Sequence, residues 1–216
     1  MPNKMGWLPG RQNNTNTMTA CQEETPDQYE TADPVLKKTI DLHKIGEKLE
    51  FTDARERTKG KRSEGILTLG AGKKGPGAHA HTRQLEGFEV LSGQMVAVVN
   101  GKEMIANAGD TIIVHADENH TFKNGSQTEP LVAKFWYEPA LNTEWMLQTL
   151  GEDAMKNGGD WDKMSVLPAM YIFYKLRNEY RFAGMPVSLQ NILLGIGAAI
   201  AKLSGAAKKV NLPPGL

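Results

Sequence analysis

A single cysteine, Cys21, stands among 216 residues. An intramolecular disulfide and a cysteine-based zinc site are thereby excluded. Net charge is missing too: 25 Lys and Arg balance 25 Asp and Glu. The chain therefore has neither the basic footprint of a nucleic-acid binder nor a long-range pull towards anionic membranes. No apolar run reaches the roughly 18 residues of a membrane-spanning helix. The first thirty residues lack the apolar stretch of a secretory signal. With 40% hydrophobic residues to build a core, we expect a cytoplasmic protein of one domain with appendages. Nucleic acid and a membrane span are not expected among its partners.

Residues 1–33 are rich in Asn, Thr, Gln, Glu and Pro, and too polar to offset their ordering entropy. They are expected to be a disordered tail, in which Met5 and Met18 are alternative starts and Cys21 is inert. Pro34 to Glu50 reads as a short helix or an edge strand. From Ile66 to Tyr137 short β-branched runs alternate with Ser92-Gly93, Asn100-Gly101, Gly109-Asp110 and Asn124-Gly125. Asn-Gly between apolar strands is a strong hairpin signal, and many short strands at regular spacing indicate a sandwich or barrel. Residues 34–140 are thus assigned to an all-β core. Helical spacing follows in 141–204, over Glu144–Met155, Leu167–Phe182 and Val187–Leu203, with Ser165 as an N-cap and Pro168 in a first turn. Residues 205–216 are small, basic and Pro/Gly-rich, a flexible tail by composition.

One stretch carries chemistry. His79 and His81 are two apart and share a face of a strand. Glu86 enters the next strand, and His120 follows a turn about forty residues later. Three imidazoles and a carboxylate suit Fe(II), Mn(II), Ni(II), Zn(II) or Co(II). Four protein ligands on a six-coordinate ion leave two positions open, as catalysis requires.

These residues resemble the cupin superfamily. The stretch from His79 to Gly93 follows its first motif, His-x-His, then Glu, then Gly. Gly109 to Asn124 resembles the second motif, with His120 in the ligand place. His115 stands where that motif has Pro, Asp117 where it has Gly, and Lys73 where the first motif has an early Gly. The resemblance covers residues 65–137, about a third of the chain. It implies a double-stranded β-helix (jelly-roll) barrel with His79, His81, Glu86 and His120 as metal ligands. The helices after the barrel resemble those of single-domain cupins with helical extensions, a group not tied to one reaction. Edge-to-edge pairing into a homodimer is a further implication.

Other features have plainer readings. His115 is a loop histidine before it is a ligand-orienting donor or substrate contact. Gly70–Gly75 matches a dinucleotide fingerprint but precedes Pro76 and a strand, not the helix that motif needs. Arg83, Gln84 and Glu89 belong to the solvated face, Arg83 being the one placed to anchor an anion. Phe135 and Tyr137 share a strand face opposite Trp136, as core or pocket wall. The helix over Val187–Leu203 has too few basic residues for a membrane surface and packs on the barrel or on a second subunit.

The expected function is that of a metal-dependent enzyme acting on a small organic molecule, with Fe(II) preferred and Mn, Ni or Zn as alternatives. Oxygen-dependent, dioxygenase-like oxidation is preferred to non-redox isomerase, lyase or cyclase chemistry. Glu86 doubles as a general base if loosely held. The contrasting readings are a non-catalytic small-ligand barrel, whose structural metal would have no open position, and a scaffold binding partners through its helices.

Overall fold

The computed structural model describes residues 36–216; the expectations for residues 1–33, including Cys21, lie outside them. Strands β1 (Leu36–Leu42), β2 (Glu47–Thr52) and β3 (Ser63–Leu69) open the fold, with a one-turn helix α1 (Ala54–Arg57) between the last two. Seven strands follow: β4 (His79–His81), β5 (Leu85–Ser92), β6 (Gln94–Val99), β7 (Lys102–Asn107), β8 (Thr111–Val114), β9 (His120–Asn124) and β10 (Leu131–Glu138). Helices α2 (Thr143–Lys156) and α3 (Val166–Lys175), a last strand β11 (Tyr180–Phe182) and helix α4 (Val187–Leu203) complete the chain's regular elements, with short 3-10 turns at Trp161–Lys163 and Ala206–Lys209.

The strands form two antiparallel sheets, in the orders β1-β2-β3-β10-β5-β8 and β11-β4-β9-β6-β7. Their inner faces enclose one apolar core, giving a jelly-roll barrel followed by helices. Alternation decides which residues enter it. Along β10, Leu131, Ala133, Phe135 and Tyr137 are buried while Val132, Lys134, Trp136 and Glu138 are less so. Outside the barrel, the Arg62 guanidinium lies 4.6 Å from the centre of the Trp136 ring. Leu67, Leu69 and Leu131 are almost wholly buried, each worth about 1.5–3 kcal/mol of transfer free energy.

Two segments differ from or sharpen the expected elements. The described part of the segment expected over Pro34–Glu50 yields strands, β1 at the sheet edge paired with β2 through a turn in which Gly46 takes φ +68°. Leu167–Phe182, expected as one helix, stops at Lys175. Leu176 caps α3, and Tyr180–Phe182 leaves to pair with β4. Strand pairing and burial there outweigh the local helical spacing. Ser165 does occupy the N-cap of α3, but its amide and hydroxyl donate to Asp153 instead of capping the helix.

A second apolar cluster joins α2, α3 and α4 around Met146, Leu150, Ile172 and Leu176, with Val210 and Leu212 packed onto it. Leu147, Trp161 and Met164 touch both this cluster and the barrel core. Among the described residues no helix is long and apolar enough to cross a membrane.

Candidate metal centre

Strand β4 is only three residues long, and its neighbours fix it on both sides. His79 pairs with His120 of β9, and Tyr180, Arg181 and Phe182 of β11 pair along its other edge. The Asp117 amide donates to the His81 carbonyl at 2.8 Å. Asp117 sits at φ +68°, the left-handed backbone that a glycine takes freely and that Asp tolerates better than most residues. Arg181 pairs with its carboxylate at 3.2 Å and donates to its carbonyl at 3.0 Å. The turn therefore keeps its shape without the motif's glycine. At the end of the same motif, the Asn124 side chain donates to the carbonyls of Leu69, Gly70 and Glu129, tying the end of β3 to the loop between β9 and β10.

The four expected residues come together in the barrel. His79, His81, Glu86 and His120 are each at most 4% exposed. One ligand atom from each lies within 4.8 Å of the others. Donor atoms about 2.1 Å from an ion stand roughly 4.2 Å apart across it, so the group is of the right size. Its hydrogen bonds also fit. Nδ1 of His79 faces the Gly77 carbonyl at 2.9 Å, and Nδ1 of His120 faces the Glu118 carbonyl at 3.0 Å. Each carbonyl needs a proton on Nδ1. For His79 this leaves Nε2 with its lone pair towards the cluster, whereas Nε2 of His120 carries a second proton and donates it to Glu86 at 2.6 Å while no ion takes its place. Both ring nitrogens of His81 are buried without a hydrogen-bond partner. Such orphaned atoms carry a desolvation cost, which a metal ion would remove at the one nitrogen that binds it.

Charge follows the same pattern. Burial drives the His79 imidazolium down to about 4, against the pull of Glu86, so the ring is neutral near pH 7. Burial opposes the Glu86 charge as well. The hydrogen bond with His120 at 2.6 Å and the contact with His81 outweigh it and hold the carboxyl well below its usual range. Burial lowers His120, but its bond to Glu86 more than compensates and raises it. Tyr137 is pushed up by burial and by the Glu86 carboxylate beside it. The neutral His79 ring and the anionic Glu86 carboxylate suit a metal ion as they stand, while His120 would release its proton on binding one.

The other expected positions fall outside this cluster. His115 is an exposed loop residue whose amide donates to the Glu118 side chain. Arg83 is exposed and Glu89 half-buried. Gln84, expected on the solvated face, is instead 1% exposed. Its amide donates to the carbonyls of Pro139 and Ala140, and the Thr143 hydroxyl donates to its carbonyl. A polar side chain that meets three fixed partners is better buried than solvated, because all its groups are satisfied. No helix follows the Gly70–Gly75 loop. Tyr180 was not anticipated: its ring lies beside those of His79, His81 and Phe173. The one sequence signal for it was the alternation of Tyr180 and Phe182 around Arg181.

The cluster opens into a cavity of about 640 Å³ walled largely by apolar and aromatic side chains, among them Phe88, Phe135, Tyr137 and Phe173.

Residues 65–137 match the family model described as a cupin domain. This segment is a cupin domain. No curated protein matches the sequence. Among solved structures, the chain is similar to the cupin domain of Schizosaccharomyces pombe Cnp3, with 15% identity, a TM-score of 0.40, and 53% of this chain and 75% of that one covered. It is also similar to a predicted oxalate decarboxylase from Thermotoga maritima, with 22% identity, a TM-score of 0.41, and 49% and 93% covered. KdgF from a Halomonas species gives 15% identity, a TM-score of 0.43, and 50% and 93% covered. The assignment of the cupin domain rests on the family match and on the two-sheet fold.

Proposed function

We propose that the protein is a metal-dependent enzyme acting on a small organic molecule, with His79, His81, Glu86 and His120 as the ligands of a divalent transition ion. The observation that carries this reading is the convergence of three buried imidazoles and a buried carboxylate, of which His79, His81 and Glu86 line a cavity of about 640 Å³. A cavity of that size matches the range of small-molecule sites.

Fe(II) is the preferred ion and dioxygenase-like oxidation the preferred reaction; Mn, Ni or Zn would go with isomerase, lyase or cyclase chemistry. When bound, such an ion supplies Lewis acidity and, if iron, redox chemistry with O2. The chain's own residues do the rest. Phe135 and Phe173 exclude water from the bound molecule. Tyr137, the register partner of Glu86 on the neighbouring strand, lines the cavity beside the carboxylate. Glu86, if only loosely held by the ion and released from His120, would be the group that accepts a proton from a substrate carbon or hydroxyl beside it.

Two copies of the chain are proposed to pair. Leu189, Ile192, Ile196 and Leu203 are exposed along α4, at the three- and four-residue spacing of a helix–helix seam.

Elemental analysis of the purified protein, beside a His79→Ala/His81→Ala variant, tests the central reading. Near-stoichiometric iron that the variant loses supports it and calls for oxygen-consumption assays. Zinc, manganese or nickel moves the reaction to non-redox chemistry. No metal, even after reconstitution, leaves the non-catalytic ligand-binding barrel. Loss of Glu86 or His120 without loss of turnover would refute the roles given to them.

A further inference from the structure

The cavity has a second polar pole. Glu47, the first residue of β2, is 4% exposed and lines the cavity that holds the metal group. One carboxylate oxygen accepts a hydrogen bond from the indole Nε1 of Trp161 at 3.1 Å. The other has no donor and no cation among the described residues.

Strand register sets the two poles apart. Glu47 pairs with Leu69, and Leu69 with Leu131 of β10. Glu86 pairs with Tyr137, six positions further along β10 (137 against 131). Leu49, Leu67 and Phe135 line the cavity on the intervening rows. The sheet therefore presents a carboxyl towards each end, with apolar surface between. Both Glu47 and Trp161 lie outside residues 65–137, so this pole comes from segments flanking the cupin domain.

Nothing in the packing requires an acid here. Holding the Trp161 indole takes one acceptor, which a glutamine amide would supply without the cost of ionising a buried carboxyl. Burial pushes Glu47 up to about 7, with Trp161 pulling the other way. That cost is sustained by a group whose second oxygen is free at the cavity wall.

We infer that Glu47 and Trp161 form a recognition subsite for a hydrogen-bond donor, a hydroxyl or an amine, at the far end of an elongated, largely apolar ligand whose acidic end reaches the metal group. The near end of this ligand rests on the metal reading above; the far end does not.

The test uses the full chain loaded with zinc and isothermal titration with ω-phenylalkanoates of increasing chain length. Each is compared with its para-hydroxyl and para-aminomethyl counterpart. At least one donor-bearing compound is expected to bind about tenfold tighter than its parent, a difference of about 1.4 kcal/mol. Glu47→Leu should abolish that preference, read as the ratio of the two affinities within each pair. Trp161→Phe, which keeps the ring but not the N–H, serves as a second variant if Glu47→Leu fails to fold. It should alter the preference while keeping the cavity wall. Glu47→Gln separates the two donors, keeping the hydroxyl preference and losing the amine preference. Equal binding within every pair, a preference that survives Glu47→Leu, or no binding by any donor-bearing compound would overturn the subsite. Failure of the metal reading shows separately, as no zinc uptake by the wild type. The donor preference is then judged on the zinc-free protein.

Discussion

Tyr180 lies nearly parallel to His79, with ring centroids 5.0 Å apart and an interplanar angle of 20°. A residue 101 positions away in the chain (180 against 79) thus holds a ring of the metal group in place. Tyr180→Ala is expected to free His79 and to weaken zinc binding roughly 10- to 100-fold, the usual effect of losing a group that orients a ligand. Tyr180→Phe keeps the stacked ring and should bind zinc as the wild type does. Competition with a chromophoric chelator measures both; equal loss in the two variants would assign the effect to the hydroxyl.

Metal removal should cost stability. An ion at about 1,000 times its Kd adds about 4 kcal/mol to the folded state. For a chain of this size that is roughly 8–16 °C in Tm. Calorimetry with and without chelator checks the shift. The His81→Ala protein should show none, since removing the imidazole removes both of its orphaned nitrogens and a ligand together.

Glu47 predicts a pH dependence of opposite sign to an ordinary paired carboxylate. Its carboxyl rises on folding from 4.5 to about 7, so the folded state binds the proton more tightly than the unfolded chain. Its contribution is intact below the unfolded value and is lost as pH climbs to about 7. The full loss is about 3 kcal/mol. Relative to wild type, Glu47→Gln should gain stability towards about pH 8 and gain nothing near about pH 4. Urea unfolding across that range reads the difference; parallel curves would show that Glu47 does not titrate on folding.

Gln84 joins the barrel to α2 through three hydrogen bonds of 2.6–2.9 Å. Gln84→Leu would leave two carbonyls and a hydroxyl without their partner. Destabilisation of about 2–4 kcal/mol is expected, since each buried group left unpaired costs roughly 1–3 kcal/mol and some find water. Gln84→Glu should be less harmful only under acid conditions, where the added carboxyl can still donate to a carbonyl. Chemical denaturation at two pH values checks both variants.

The exposed side chains of α4 predict a change of assembly. Ile192→Glu with Ile196→Glu places two charges at the centre of the proposed seam. Light scattering should change from dimer to monomer with metal content unaltered. A wild-type monomer, or a dimer that survives both charges, removes α4 from the interface.

The parts of this fold that could be read in advance are those written in local chemistry. Asn100-Gly101 takes φ +49° and +80°, the mirror-image turn that joins β6 to β7. His79 and His81 face one way because two strand positions do so anywhere. The turn at Asp117 was less legible, because a residue other than glycine adopts the left-handed backbone there. Tyr180–Phe182 was misread for a different reason. Met170 and Tyr174, like Leu176 and Tyr180, are four apart as on a helix, and only the presence of an unpaired edge on β4 makes a strand preferable. Gln84 and Glu47 were illegible as buried groups. Their partners, Thr143 and Trp161, are 59 and 114 residues away, and no local pattern marks one glutamine or glutamate among many.

The pairing of β11 with β4 also orders events in time. Until residues 180–182 have been made, the strand bearing His79 and His81 is the free margin of its sheet, with the cupin domain already synthesised. An unpaired margin recruits other chains, so a nascent or truncated barrel is the stage at which this protein is most exposed to wrong partners. Residues 180–182 are thus a fastening: they close the strand that carries His79 and His81, and the candidate site has its full frame only after they have been made.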